Sequence, residues 1–303
     1  MSSWLRRLLT LPLSSSPVAS LDELRRLHAD AATDLSHSVE RAALGGVVAD
    51  RTGFAFACGY QEALLRLLPQ LPRHALVSLC ATEEGGAHPR AIQTSLDENG
   101  RLRGRKVFAT LATAADVLMV VASTGTDENG RNRLRLVRVD AHAAGVRIQP
   151  LPPTSFAPEI PHAVVELDGV NVRPDDVLPG DGYDAYLKPF RTVEDLHVLA
   201  ALHGYLVGVA RRHRWPEEGL ELLCASLVGL HALGDLDAAA PETHVALAGA
   251  FTATRNLLAT LEPRWDLVDE ETRTRWKRDA RLLNVAETAR TQRRERAWSS
   301  LRS

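Results

Sequence analysis

No GxGxxG loop follows any strand-like run, so a Rossmann dinucleotide site is not indicated. A P-loop, an HExxH pair and a GxSxG elbow are missing as well. Cysteine is scarce: Cys58, Cys80 and Cys224 are far apart, odd in number and form no CxxC, which excludes a disulfide framework and a zinc knuckle. Each sits among apolar neighbours and reads as a small buried residue, and a reducing, cytoplasmic compartment follows. The eleven histidines do not pair at metal-ligand spacing, except loosely around His197, so no metal site is expected. An excess of one charge is also lacking. The formal net charge is −2, which gives no global pull toward nucleic acid or anionic membrane. Long hydrophobic runs are absent. Residues 8–13 follow Arg6 and Arg7 but contain Thr10 and Pro12, too short and broken for a secretory segment, and read as a frayed lead-in. No other stretch looks able to span a bilayer, and there are no internal repeats or low-complexity tracts.

What is there is ordinary in bulk, with 45% apolar and 24% charged residues in 303, enough for one large domain or two to three small ones. Three textures follow one another. Residues 1–76 read as a helical region: Leu21, Leu24, Leu27 and His28 recur at helical spacing after Ser20, a candidate N-cap. Gly45-Gly46 reads as a break, and a second apolar helix covers 54–68, stopped by Pro69 and Pro72. Residues 77–182 switch to short alternating runs: 77–82, 92–96, 102–110, 117–124, 134–139, 146–149 and 163–167. Two hairpin loops are spelled identically, Asp97-Glu98-Asn99-Gly100 and Asp127-Glu128-Asn129-Gly130. This zone predicts a β-barrel or sandwich-like domain. Residues 183–303 return to helical periodicity over 191–206, 217–231, 242–261 and 270–298, an antiparallel helical bundle. The fold class is α+β in the order α, β, α.

Several ordered motifs in the β zone carry more. Thr82-Glu83 is followed by the turn Glu84-Gly85-Gly86-Ala87-His88. Gly104-Arg105-Lys106-Val107-Phe108-Ala109-Thr110 is a Gly-x-Lys-x-aromatic-x-Thr strand. Ala115-Asp116, Ala144-Gly145-Val146 and the segment 164–180, with Asp-x-Val-x-Val, Pro and a Gly stop, complete the series. In this order they resemble the middle domain of the acyl-CoA dehydrogenase flavoprotein family, and the whole chain resembles a shortened, divergent member. The resemblance implies FAD as cofactor, with Thr82 hydrogen-bonding the flavin ring, Phe108 stacking on it and Thr110 bonding near its edge. Such a ring needs a flat apolar wall and a few aimed donors. The alternative is that both threonines are plain strand residues and Phe108 a core aromatic. The family's Ser-Asp after the Gly-rich turn is His88-Pro89 here, and His88 is a candidate donor to substrate or phosphate.

The reaction implied is α,β-dehydrogenation of an acyl thioester, in fatty acid metabolism, with a carboxylate taking the α-proton. The usual C-terminal Tyr-Glu-Gly motif has no counterpart. A subclass places this Glu on the first helix after the β-domain, and Glu194, nine residues before Gly204, matches that spacing, with Asp195 where Arg is usual. The competing reading makes Thr192 an N-cap, Glu194 a dipole-favouring acid and His197 its partner. Basic residues dominate 273–302. They read as a solvated face, while Arg293, Arg294 and Arg296 stand near the family's Gly-Gly region, where they could bind phosphate. The implied partners are acyl-CoA or another acyl thioester, a second copy of the chain in a homo-oligomer, and an electron acceptor that the sequence does not specify. The rival function is a catalytically degenerate family member that binds acyl thioesters or serves as a partner subunit.

Overall fold

A computed structural model describes residues 4–14 and 16–303. The chain forms two compact units: one helical, from residues 1–66, 155–157 and 192–303, and one β-rich, from 67–154 and 158–191.

In the helical unit, α1 (Trp4–Thr10) is not the frayed lead-in that its length suggests. Leu8 is fully buried, and Arg7 donates to the Ala31 carbonyl at 3.2 Å, while Arg211 donates to Leu8 O at 3.0 Å. These side-chain bonds satisfy backbone carbonyls that a short helix cannot satisfy itself. Helix α2 (Leu21–Ala31) starts as expected: the Ser20 hydroxyl accepts the Glu23 N–H at 3.2 Å.

Helix α3 (Ser38–Val48) runs straight through Gly45-Gly46, so the expected break is wrong. The glycines serve close approach instead. A Cβ on Gly46 would lie 1.9 Å from the Ala201 carbonyl oxygen of α5 (Lys188–Arg212), and one on Gly204 would lie 1.9 Å from the Ala43 carbonyl oxygen of α3. The two backbones touch, and only hydrogen fits between them. Helix α4 (Thr52–Leu67) contributes Glu62, which pairs with Arg41 in the interior at 3.0 Å. The later helices are α6 (Glu217–Gly234), α7 (Pro241–Leu261), α8 (Glu270–Asp279) and α9 (Glu287–Arg302). The single run expected over 270–298 is thus two helices, parted by a 3-10 turn at Ala280–Asn284. Trp265 and Trp276 stack at 5.1 Å, with Trp215 edge-on to Trp265 at 5.6 Å, and all three are buried in this unit.

Residues Tyr183–Arg212 are long and apolar enough to cross a bilayer, but 78% of their most apolar 18-residue stretch is buried inside the protein, as in a core helix. Cys58 and Cys80 are buried, as expected, whereas Cys224 is half-exposed. None of the three is in a disulfide.

The β unit is a seven-stranded sheet: β1 (Val77–Cys80), β2 (Ser95–Leu96), β3 (Arg101–Thr110), β4 (Val117–Thr126), β5 (Asn132–Asp140), β6 (Val146–Pro150) and β7 (His162–Asn171). The order is β1-β4-β2-β3-β7-β6, with β5 paired to β4. Both expected hairpins form, β2–β3 and β4–β5. In each the leading Asp accepts two backbone N–H groups, Asp97 from Asn99 and Arg101, Asp127 from Asn129 and Arg131, and the Gly takes positive φ. Leu118, Val120, Val137, Val165 and Leu167 are among the residues that fill the core of this unit.

Candidate functional site

Strand β3 is irregular where the motif predicts function. Lys106 pairs with Val165 and Ala109 with Ala163, so two residues of β3, Val107 and Phe108, face a single residue of β7. This is a β-bulge, and it resets the alternation of the strand. Lys106 and Ala109 both point inward, and Phe108 is expelled to the surface with 62% of its area exposed. The reading of Phe108 as a core aromatic is therefore wrong. Its backbone sits at φ +52°, in the left-handed region that a bulky L-residue enters at a cost of about 1–2 kcal/mol. Its ring has the His162 imidazole edge-on at 6.2 Å.

The same stretch gathers the two threonines. The Val107 N–H donates to the Thr82 carbonyl at 2.8 Å, so the segment after β1 is tied directly to the bulge. Thr110 pairs with His162 across the sheet, and its carbonyl accepts the Ser78 hydroxyl at 2.7 Å. Thr82 and Thr110 are both half-buried. Thr82, Phe108 and Thr110 thus lie on two backbone segments bonded to each other.

A buried ion pair beneath them was not assigned any role from sequence. Lys106 is fully buried, and its Nζ donates to Glu83 Oε1 at 2.7 Å. Glu83 also accepts the Gln93 N–H at 2.8 Å and the Thr94 N–H at 3.0 Å. Burial alone would raise the Glu83 carboxyl, but the Lys106 bond and the Gln93 N–H outweigh it and hold the group below the usual carboxylate range. Burial lowers the Lys106 ammonium, opposed by Glu83. The Glu of the Thr-Glu motif and the Lys of the Gly-x-Lys motif are therefore one structural unit, which fixes the loop carrying Thr82 against the strand carrying Phe108. Gly104 belongs to the same device: at φ +152°, a Cβ there would strike Thr94 Oγ1 at 2.4 Å. His88 stands at the N-cap of a 3-10 turn, Pro89–Ala91, where its Nδ1 accepts the Arg90 N–H at 3.2 Å. The residue is exposed.

In the helical unit, Glu194 and Asp195 are half-buried on α5. That helix begins at Lys188, so Thr192 is an interior residue and not an N-cap. Its hydroxyl accepts from Arg293 at 3.1 Å. His197 does not pair with Glu194 in the way expected: its Nδ1–H donates to the Val193 carbonyl at 2.7 Å and its Nε2 accepts from Ser38 Oγ at 2.8 Å. Burial pushes that imidazole down to about 4, so it is neutral. Asp195 binds two arginines of α9, Arg290 at 3.2 Å and Arg293 in a shorter contact. Arg293, one of the arginines considered for phosphate, is thus engaged in fastening α9 to α5, while Arg294 and Arg296 are exposed.

The order of helices, bulged sheet and helices, with the Thr-Glu loop locked to the Lys-x-aromatic strand, defines the class: this is an acyl-CoA dehydrogenase-type fold. The family model described as acyl-CoA dehydrogenase, middle domain, matches residues 78–170, and the chain carries that family's middle domain. Among solved structures, butyryl-CoA dehydrogenase from Megasphaera elsdenii is similar at 15% identity and TM-score 0.67, covering 92% of this chain and 89% of its own. An FAD complex of PigA gives 14% and 0.67, covering 94% and 91%. FMN-bound TdsC from Paenibacillus sp. A11-2 gives 17% and 0.65, covering 90% and 88%. No curated protein sequence matches the chain.

Proposed function

We propose that the protein is an FAD-dependent enzyme that desaturates an acyl thioester between its α and β carbons. The observation that carries this reading is Phe108, an aromatic face held exposed at positive φ by a bulge, next to Thr82 and Thr110. A flavin ring fits these residues: Phe108 gives the flat apolar wall, and the threonine hydroxyls give the aimed hydrogen bonds. The flavin, when bound, supplies the acceptor for the β-hydride. Glu194 is the proposed base: its carboxylate takes the α-proton, and a hydrogen bond to the thioester oxygen stabilises the charge that develops there. His88, exposed at its turn, is the proposed contact for the thioester or its phosphate. The relatives support the substrate class in their own names, one a butyryl-CoA dehydrogenase and another a prolyl acyl carrier protein oxidase. The acyl group is accordingly proposed as a thioester of either coenzyme A or a carrier protein. A homo-oligomer in the cytoplasm belongs to the same proposal, supported by exposed apolar residues Leu222 and Val228 on α6 and Trp298 on α9.

One observation favours a second reading. Gly204, whose spacing from Glu194 suggested catalysis, is required by the contact with Ala43 whether or not Glu194 acts. A degenerate member that binds a thioester without oxidising it keeps that glycine too. Anaerobic addition of short and long acyl-CoA to the FAD-loaded protein separates the two. Bleaching of the flavin bands, lost in Glu194→Gln with binding retained, supports the enzyme. Calorimetric binding of acyl-CoA with unchanged flavin bands supports the second reading.

A further inference from the structure

His162 is the first residue of β7, and it carries no part of the function proposed above. Across the sheet it stands directly opposite Thr110, and the neighbouring pair is Ala109 with Ala163. Both alanines are buried in the core. Side chains alternate along a strand, so Thr110 and His162 project from the other face, the one on which the bulge has placed Phe108. The His162 imidazole and the Phe108 ring meet there, with centroids 6.2 Å apart and planes inclined at 64°. That is the edge-to-face geometry that aromatic rings favour.

The two rings differ in how firmly they are held. Phe108 sits in the bulge and is exposed. His162 is half-buried, and its backbone is fixed from both sides of the sheet. Its carbonyl accepts the Leu151 N–H at 2.8 Å, and the preceding carbonyl, that of Pro161, accepts the Leu111 N–H at 2.8 Å. A ring N–H of His162 donates to the Ile160 carbonyl, which sets the plane of the imidazole. Burial lowers the imidazole below its ordinary value, against the opposing effect of that bond, so the ring is neutral beside the phenyl at pH 7. An exposed phenyl that is free to turn loses that freedom when a flat ligand settles on it, at a cost in affinity. A rigid neighbour that already holds the phenyl removes part of that cost.

We infer that His162 is a positioning residue of the flavin site, which holds the Phe108 ring in one orientation through its edge-to-face contact. The inference rests on the reading of Phe108 as the flavin wall. In an edge-to-face pair at least one face of the phenyl stays open, and that face is the one left for the flavin ring. His162 acts through Phe108, and the preorganisation is worth about 2–10-fold in FAD affinity, the range of such an aromatic pair. What the pair needs from position 162 is an aromatic edge, so phenylalanine there serves and an aliphatic residue does not.

The test uses the full chain. In the flavin-free protein, Phe108→Leu removes a ring current and should move the imidazole proton signals of His162, identified by their loss in His162→Phe. Unmoved signals overturn the contact. FAD is then titrated, by the change in flavin fluorescence, into wild type and into variants whose folding is checked by circular dichroism. His162→Ala should bind FAD about 2–10-fold more weakly, and His162→Phe should restore wild-type affinity. Added to Phe108→Gly, His162→Ala should change nothing further, as expected when one residue acts only through the other. That arm separates positioning from a general weakening of β7, which lowers affinity in both backgrounds. His162→Leu, which fills the space without an aromatic edge, gives the same comparison where alanine does not fold. Wild-type affinity in His162→Ala, affinity lost in folded His162→Phe, or a loss that persists in Phe108→Gly overturns the inference. A wild-type chain that takes up no FAD overturns the flavin reading itself and this inference with it, a result distinct from each of those.

Discussion

Cutting the Glu83–Lys106 pair should destabilise the β unit more than any surface ion pair could. Lys106 has no exposed area, and Glu83 is 7% exposed. Removing one partner of such a pair leaves an uncompensated charge or orphaned donors inside the protein, at a cost of about 3–5 kcal/mol. Lys106→Met belongs at the lower end, about 3 kcal/mol, because Glu83 keeps the Gln93 and Thr94 N–H bonds. Glu83→Gln belongs higher, since Lys106 is then left buried without its counter-charge and one backbone N–H loses its acceptor. The double variant removes both charges and should cost about 2–3 kcal/mol less than the sum of the single changes, the coupling range for residues in contact. Against a typical total of about 5–15 kcal/mol, each single change shifts the urea midpoint visibly. Urea unfolding at neutral pH, followed by far-ultraviolet circular dichroism on all four proteins, measures the cycle. Additivity within about 0.5 kcal/mol, or single costs below about 1 kcal/mol, would refute the claim that this pair locks the loop to the strand.

Phe108→Gly removes an exposed ring and relaxes a positive φ, so stability should hold or rise by about 1 kcal/mol, while FAD affinity falls at least tenfold by fluorescence titration. Unchanged affinity contradicts the role of the ring. Gly204→Ala places a methyl 1.9 Å from the Ala43 oxygen, and should lower stability by about 3 kcal/mol or more; a wild-type melting temperature would show that α3 and α5 can part. Buried His197 and His203 both titrate at about 4 in the folded chain, against about 6.5 unfolded. The unfolded chain therefore binds the extra protons first as pH falls. Their contribution is complete above about pH 6.5 and is lost toward pH 4, about 3 kcal/mol for each. His203→Gln should flatten part of this slope in urea midpoints measured across that range, and an unchanged slope contradicts the assignment.

The fold was legible to the extent that local chemistry decided it. Asp-x-Asn-Gly loops state their own hairpins, and Ser20 states its own cap. What was hidden depended on a partner distant in sequence. Gly45-Gly46 looks like a break until Ala201 of α5 is beside it, and Arg7-Leu8 looks frayed until Ala31 and Arg211 are in place. At the candidate site, Thr82, Phe108 and Thr110 were readable from ordered motifs. The bulge that turns Phe108 outward was not, because it is a mismatch of register with β7 that neither strand shows alone. The Glu83–Lys106 pair was present in the Thr-Glu and Gly-x-Lys motifs, but one residue lies after β1 and the other within β3, and neither segment alone shows that the two side chains meet. Thr192 as a cap failed because the helix extends four residues further back, through Lys188 and Pro189, where proline is tolerated in a first turn.

The measurement that bears most directly on the account is the visible spectrum of the purified protein after incubation with FAD and removal of free cofactor. A flavoprotein with Phe108 as its wall retains the twin flavin bands, perturbed from those of free FAD, at close to one flavin per chain. A colourless protein, with Phe108 still exposed and the chain fully folded, contradicts the proposal that this sheet holds a flavin.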